Sequence, residues 1–468
     1  MYRKEPVKST GPFVLPFCMQ KASFFSGPTL VYAFLCLRSS CPVPPIGYMR
    51  KEAEHMRRIN WKKPAAVAAA LALSTALLAG CGSTAASSDS MAESTTVSES
   101  ESTAEEAEEG DADEVAAKNC ADLIDAIYVQ ERTDDTDAQC EAAKAAWDAL
   151  TDTQKEMVEG ENADPEYFGR DTGDASKDDP RNEDEIGENE LLVVSFGTSF
   201  NGSRAADIKG IEDALQAANP DWSVRRAFTA QIIINHVQAR DGEKIDNMEQ
   251  ALERAVANGV KQLVVQPTHL MHGAEYDEMC AAIDKVRDKF ESVEIAEPML
   301  GEVGSDATVI NTDKEAVAKA VVAAALSESG YESTAAAKEA GVAYVLMGHG
   351  TAHVAKVTYS QMATQMDKLG YENVFIGTVE GEPENTSCEA VIAAVKEAGY
   401  TTVVLRPLMV VAGDHANNDM AGADEDSWKT MFEAAGLTVN CQISGLGRID
   451  AIHALYVAHT KAAIDAIA

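Results

Sequence analysis

Histidines stand in glycine-rich loops in the second half of the sequence. His349 lies between Gly348 and Gly350, directly after an apolar run, where the backbone is free to bend around a ligand. His415 occupies a similar position two residues after Gly413, beyond a second apolar run. Paired imidazoles suit Co²⁺, Ni²⁺, Fe²⁺ or Zn²⁺. The sequence therefore predicts that His349 and His415 converge on one metal ion, with their rings within roughly 4 to 5 Å of each other.

The elements that must position these loops are short β-branched runs alternating with helical stretches from Leu191 onward. This alternation is typical of βαβ units and parallel sheets. The candidate strands are 191–196, 223–228, 261–266, 293–296, 342–347, 373–376, 402–405 and 438–442. We predict an α/β fold of two similar lobes, 190–335 and 336–468, each with a four-stranded parallel sheet flanked by helices. Ligands of such sheets bind beyond the carboxyl ends of the strands, where the histidine loops lie.

The order of several motifs gives a resemblance that covers essentially all of 190–468. Its most specific part is the stretch 407–420, from Pro-Leu-Met to Asn-Asn-Asp-Met. The other motifs are Val194-Ser195-Phe196-Gly197-Thr198-Ser199, Arg226-Ala227-Phe228-Thr229, Gly273-Ala274-Glu275-Tyr276, Met347-Gly348-His349-Gly350 and Ser444-Gly445-Leu446-Gly447. Together they resemble the anaerobic sirohydrochlorin cobaltochelatase family, whose members are class II chelatases of cobalamin biosynthesis. The resemblance implies metal insertion without ATP, and the sequence contains no GxxxxGK[ST] loop.

The resemblance also implies roles for individual residues. It makes His349 and His415 metal ligands and proton acceptors, with Glu275 as a catalytic carboxylate and Glu380 as a further metal ligand. The residues expected to contact the tetrapyrrole are Ser195, Gly197, Thr198 and Arg226. A carboxylate-rich ring also calls for basic side chains at the rim, for which the candidates are Arg204, Arg225, Arg226 and Arg240. His236 is a further histidine near these loops. His269, His272 and His353 receive no role from the resemblance. We expect core or surface positions for these three, and the alternative is that His269 or His272 binds haem or a second metal.

The charge balance narrows the class of partner. With 39 Lys and Arg against 76 Asp and Glu, the formal charge is −37, which argues against a protein that grips nucleic-acid phosphates. Divalent cations are attracted by such a chain, whereas an anionic tetrapyrrole needs a local basic cluster.

The first part of the chain predicts export. Residues 56–80 combine a basic start, a short apolar run and small residues, as lipoprotein signal peptides do, and Leu78-Ala79-Gly80-Cys81 resembles the site of cleavage and lipidation. Cys81 would then carry the lipid and hold the protein at the membrane in the cell envelope. Residues 1–55 would not belong to the translated protein, since Met56 is the expected start and Met49 an alternative.

Three segments separate this signal from the lobes. Residues 81–114 are rich in Ser, Thr and Glu, which predicts a disordered tether, and 161–189 predict an acidic linker. Between them, apolar residues recur at helical spacing over 115–160, which predicts a small helical hairpin. Cys120 and Cys140 could form a disulfide across that hairpin or remain two free thiols, and both alternatives stay open.

Two functions remain open at this point. One is an enzyme that inserts Co²⁺, or in its place Fe²⁺ or Ni²⁺, into a tetrapyrrole. The other is a surface lipoprotein that binds haem, a tetrapyrrole or a metal for uptake without catalysing insertion. The motifs around His349 and His415 favour the first, and the export signal favours the second. Assembly into a homo-oligomer is left open.

Overall fold

The computed structural model describes residues 102–467. The predictions for 1–55, for the signal peptide 56–80 and for lipidation at Cys81 lie outside the described residues. None of the helices within 102–467 is both long and apolar enough to cross a membrane.

The first described element is a long helix that begins inside the predicted tether. Helix α1 spans Ser102–Ile127, so the prediction of disorder over 81–114 is wrong from Ser102 onward. The physical reason is that Ala and Glu, which dominate 103–109, cannot form a core but are strong helix formers. Once the later turns of α1 pack against the protein, extending the helix by further residues costs little.

Helices α1 and α2, Thr136–Ala149, pack against each other and are followed by short helices α3, Asp152–Lys155, and α4, Glu166–Gly169. Their shared core contains Ile124, Ile127 and Trp147, which are at most 6% exposed. The bridged alternative for the two cysteines is wrong, because Cys120 and Cys140 are buried free thiols in the described chain. Burial raises the pKa of each thiol to about 11.

The first lobe contains a parallel sheet in the order β2-β1-β3-β4. Its strands are β1, Asn189–Ser195; β2, Ser223–Phe228; β3, Gln262–Pro267; and β4, Ser292–Ile295. Its helices are α5, Asn201–Ser203, which a π-helical turn, Arg204–Ile208, joins to α6, Lys209–Ala218; then α7, Gln231–Asp241; α8, Met248–Ala257; and α9, Ala274–Asp284. The β1 residues 191–195 are buried, as expected for a strand covered by helices on both faces.

The second lobe repeats this architecture with the strand order β6-β5-β7-β8. Its strands are β5, Val342–Gly348; β6, Val374–Thr378; β7, Thr402–Pro407; and β8, Thr438–Cys441. Helices α10, Thr312–Ser329, and α11, Thr334–Glu339, precede the sheet; α12, Val357–Lys368, α13, Cys388–Glu397, and α14, Trp428–Ala434, accompany it; and α15, Asp450–Ile467, follows it. The predicted fold class is confirmed: two lobes, each with four parallel strands flanked by helices.

Helix α15, which belongs to the predicted second lobe 336–468, packs against the first lobe. It packs on α6, β3 and β4, and the Tyr456 hydroxyl donates to the Thr268 carbonyl at 2.7 Å. Ile452, Tyr456 and Ala463 enter a core cluster that also contains Leu191 of β1. The helical periodicity of 450–467 was visible in the sequence, but the surface that it covers was not.

Candidate functional site

The two predicted metal-binding histidines lie at the carboxyl ends of neighbouring strands. His349 follows β5, and His415 lies in the loop after β7, the strand that pairs with β5 through Met347 and Pro407. Their ring centroids are 4.7 Å apart and the ring planes make an angle of 70°. The predicted approach of the two rings is therefore confirmed.

Tight packing fixes the backbone around His349. Gly350 has φ +95°, and a Cβ added there would lie 2.8 Å from the Cβ of Glu380, so a larger residue would meet both backbone strain and a clash. The Gly350 amide donates to the hydroxyl of Tyr359 at 3.1 Å. Burial raises the pKa of Tyr359 to about 12, which keeps this phenol neutral near neutral pH.

Each imidazole is oriented through its Nδ1 atom. The Nδ1 atom of His349 lies 2.8 Å from the Gly350 carbonyl oxygen, and the Nδ1 atom of His415 lies 2.7 Å from a carboxylate oxygen of Asp419. Because these oxygens accept hydrogen bonds, each neutral ring carries its proton on Nδ1 and keeps a lone pair on Nε2. A second hydrogen-bonding partner of this kind is typical of metal-binding histidines.

The environments of the two rings push their pKa values apart. Burial, followed by the charge of His415, lowers the pKa of His349. For His415, burial acts downward but is outweighed by Asp419, Asp414 and Glu380, so its pKa is raised. His349 therefore offers a neutral lone pair over a wider pH range, while His415 holds a proton more firmly.

The two predicted carboxylates, Glu380 and Glu275, lie on other elements and do not complete a ligand set with the histidine pair. Glu380 follows β6, and its backbone amide donates to the His349 carbonyl at 2.9 Å. Glu275 is in the first turn of α9, with its side chain 46% exposed and an oxygen 3.7 Å from His269. Within residues 102–467, no three His, Cys, Asp or Glu side chains are grouped so as to hold a metal.

The remaining histidines of the sequence prediction lie away from the pair or in packed positions. His353 is 3.4 Å from Asp277 of α9, a contact between the two lobes. His269 is buried, which lowers its pKa to about 4, and His272 is 3.0 Å from Glu297. His236 stacks on Tyr167 at 4.0 Å between centroids, and burial lowers its pKa to about 3.

The predicted tetrapyrrole contact of Arg226, and a rim position for Arg204, are wrong. Arg226 is 1% exposed and Arg204 0%. Arg226 donates to Asp178 and Glu212 at 2.7 to 2.9 Å, and Arg204 to Asp178 at 2.5 Å. The reason is that Arg226 lies in β2, which is covered on both faces, and Arg204 lies in the packed π-helical turn. Both guanidiniums are therefore paired with buried carboxylates inside the protein.

The other two arginine candidates are also engaged. Arg225, 3% exposed, is 2.7 Å from Glu183, and Arg240 donates to the carbonyl oxygen of Ser199 at 2.6 Å and to Asp241. Both side chains are at most 9% exposed, so the expected basic rim is not formed by them.

Ser195, Gly197 and Thr198 turn no side chain to solvent, so their predicted contact with a tetrapyrrole, which stays a prediction, could involve only the backbone. Ser195 and Thr198 are 2% and 3% exposed, and their hydroxyl oxygens accept from Thr268 at 2.8 Å and from the Phe200 amide at 3.1 Å. A Cβ on Gly197, whose φ is +102°, would lie 2.5 Å from the Phe228 ring.

The residue of this motif that reaches solvent is Phe196, at 42% exposed. It follows the last residue of β1, so its side chain stands at the carboxyl edge of the first sheet. The sequence prediction missed Phe196 because it was counted as the end of the strand. An aromatic residue one position beyond a buried strand was the available signal.

The sequence of this chain is similar to those of known proteins. A sequence model of the cobalt chelatase (CbiK) family matches residues 189–465. The sirohydrochlorin cobaltochelatase of Salmonella typhimurium is 34% identical over 275 residues, covering 59% of this chain and 96% of that protein. The sirohydrochlorin cobaltochelatase CbiKC of Nitratidesulfovibrio vulgaris is 28% identical over 279 residues, covering 59% and 91%.

Solved structures with a similar fold share less sequence identity with this chain. SirB from Bacillus subtilis with Fe³⁺ has 14% identity and a TM-score of 0.41, covering 60% of this chain and 98% of SirB. CbiX, the terminal enzyme of siroheme biosynthesis in denitrifying bacteria, has 16% identity and a TM-score of 0.36, covering 59% and 99%. Because both TM-scores are low, the family assignment depends on the sequence matches, and the range matched by the family model contains His349 and His415. The chain belongs to the cobalt chelatase family and is a metal chelatase.

Proposed function

We propose that this protein inserts Co²⁺ into sirohydrochlorin, without ATP, in cobalamin biosynthesis. The observation that carries the proposal is the pair of imidazoles whose Nδ1 protons are engaged and whose rings are 4.7 Å apart. This arrangement leaves both Nε2 lone pairs for one incoming cation. The identity of the metal and of the ring is taken from the names of the matched relatives.

The proposed chemistry exchanges one divalent cation for two protons. Co²⁺ first binds through the Nε2 atoms of His349 and His415. As the pyrrole nitrogens replace the imidazoles around the metal, two pyrrole N–H bonds break and each released imidazole accepts one proton. His415 is suited to the acceptor role because Asp419 stabilises its imidazolium form. Glu275 and Glu380 are proposed to pass the protons onward to solvent.

The deciding experiment combines sirohydrochlorin and Co²⁺ with the purified protein and follows metallation in the visible spectrum above the uncatalysed rate. His349→Ala and His415→Ala are expected to lose activity while retaining the melting temperature, because loop histidines contribute little to the core. His272→Ala is the matched control, since it changes a loop histidine outside the pair. Both variants retaining full activity and Co²⁺ affinity would refute the assignment. Parallel reactions with Fe²⁺ and Ni²⁺ would identify the preferred metal.

The second candidate is a lipid-anchored protein of the cell envelope that binds a metal, haem or a tetrapyrrole without insertion. The observation that favours it is the lipobox-like Leu78-Ala79-Gly80-Cys81, because tetrapyrrole synthesis normally occurs in the cytoplasm. Turnover separates the two functions. More than one equivalent of metallated ring per protein supports the enzyme, whereas stoichiometric binding with no product release supports the binding lipoprotein.

A further inference from the structure

The helical segment 102–188 precedes the region that matches the cobalt chelatase family, yet one of its side chains reaches the turn that carries His415. We propose that this segment is a working part of the chelatase site and that Arg170 is a positioning residue for His415. The inference depends on the proposed role of His415 in metal binding.

The segment is anchored to the first lobe through α7. The Asn235 side chain donates to the Ile127 carbonyl at 2.9 Å, at the carboxyl end of α1. The Cys140 thiol donates to the Asn235 carbonyl at 3.5 Å, and Tyr167 stacks on His236. The side chains of Asn235, Cys140 and Tyr167 are buried, so these contacts hold the segment in one place on the lobe.

A second anchor fixes the residues that follow Arg170. The Gly202 amide, in α5, donates to the Thr172 carbonyl at 2.7 Å. The guanidinium carbon of Arg170 lies 5.1 Å from the centroid of the Phe200 ring, within the range of a cation–π contact. The backbone and stem of Arg170 are therefore positioned by the first lobe.

The head of Arg170 contacts the second lobe. Its Nη1 atom donates to the Asn418 side-chain oxygen at 2.9 Å, and the Asn418 side-chain nitrogen donates to an Asp414 oxygen at 2.8 Å. Asp414 immediately precedes His415, and Asn418 belongs to the π-helical turn Ala416–Met420 that follows it. One amide thus joins both flanks of His415, and Arg170 fixes which way that amide faces.

This chain of contacts gives Arg170 a specific effect on the site. The 4.7 Å approach of the two rings depends on the position of the 414–420 turn. Without the guanidinium, the Asn418 side chain keeps only its contact with Asp414 of the same loop, so the turn loses this link to the first lobe and can move relative to His349. Metal-site geometry is sensitive to such displacements, because the hydrogen-bonding partners of a ligand set its orientation.

The test uses Co²⁺ alone and then the complete reaction with the full-length protein. Arg170→Ala is expected to weaken Co²⁺ binding about tenfold, to change the visible ligand-field bands of the bound Co²⁺, and to lower kcat more than it raises KM for sirohydrochlorin. Arg170→Lys, which keeps a charged donor, is expected to recover part of the affinity. Arg132→Ala is the control, since Arg132 pairs with Asp137 on the same segment.

Asn418→Ala removes the same hydrogen bond by changing its partner in the second lobe. This variant tests the inference if Arg170→Ala does not fold. The inference is overturned if Asn418→Ala, or a folded Arg170→Ala, keeps wild-type Co²⁺ affinity, spectrum and kcat. If the Arg170 and Asn418 variants behave like wild type while His415→Ala loses Co²⁺ binding, only the role of Arg170 is refuted and the proposed function stands. If His415→Ala also binds Co²⁺ normally, the proposed function itself fails.

Discussion

Replacing Asp178 with alanine should destabilise the whole domain. Asp178 lies in the predicted acidic linker 161–189, but its side chain is fully buried, with one oxygen 2.5 Å from Arg204 and 2.7 Å from Arg226. Both arginine side chains are also 0% exposed. The substitution therefore removes a carboxylate shared by two buried guanidiniums.

The expected loss in the free energy of unfolding depends on the ion-pair partners that each arginine retains. Arg226 retains Glu212, and Arg204 retains Glu243 at 3.1 Å, so neither charge loses every partner. Breaking a buried ion pair from one side costs about 3 to 5 kcal/mol, and the remaining partners place this change near 3. With an unfolding entropy of roughly 0.8 kcal/mol/K for a domain of this size, the melting temperature should fall by about 4 °C.

Thermal unfolding followed by circular dichroism at pH 7 measures this change. The matched control is Asp122→Ala, which removes an aspartate that is 61% exposed and pairs with Lys118 on α1. The control should cost less than about 1 kcal/mol. If Asp178→Ala melts within 1 °C of Asp122→Ala, the buried network does not carry the stability assigned to it.

The pH dependence gives an independent check on the same residue. Burial acts to raise the pKa of Asp178, but Arg226 and Arg204 outweigh it, so the pKa lies below its ordinary value of 3.8. Its contribution to the free energy of unfolding is then present above pH 3.8 and is lost as the pH falls through the lowered value. The stability difference between wild type and Asp178→Ala should therefore narrow in acid.

Three further predictions concern the site and the location of the protein. Asp419→Asn should shift the acid limb of Co²⁺ binding to lower pH, because the raised pKa of His415 falls when the Asp419 charge is removed; an unmoved limb in a titration series would contradict this. Gly350→Ala should cost at least about 1 kcal/mol and weaken Co²⁺ binding, since φ is +95° and Glu380 is close; thermal melts and metal titration test this, and wild-type values for both would count against it. Cys81→Ala should release the protein from membranes or block its maturation, and fractionation showing an unmodified cytoplasmic wild type would exclude the anchor.

Much of the fold could be predicted because parallel strands covered on both faces have a strong sequence pattern. All eight predicted strands lie within two residues of the observed ends. The histidine pair could be predicted for the same reason, since His349 and His415 follow strands that are neighbours in the sheet. The carboxyl ends of adjacent parallel strands necessarily meet at one edge.

The arginines could have been interpreted better from the same pattern. Arg225 and Arg226 are consecutive in β2, and in a strand buried on both faces two successive charged residues must both find internal partners. What the sequence did not reveal was where those partners are. Glu183 and Asp178 lie in a segment whose acidic composition indicated a solvated linker, and composition does not separate a buried aspartate from an exposed one.

The return of α15 to the first lobe has a consequence for how the chain is made. The core around Leu191 includes Ile452 and Tyr456, so the lobe that is synthesised first cannot be completed until the last helix has emerged. During synthesis the covered face of β3 and β4 stays open to solvent and to other chains. Folding of the first lobe is therefore expected to finish only after the last helix has left the ribosome.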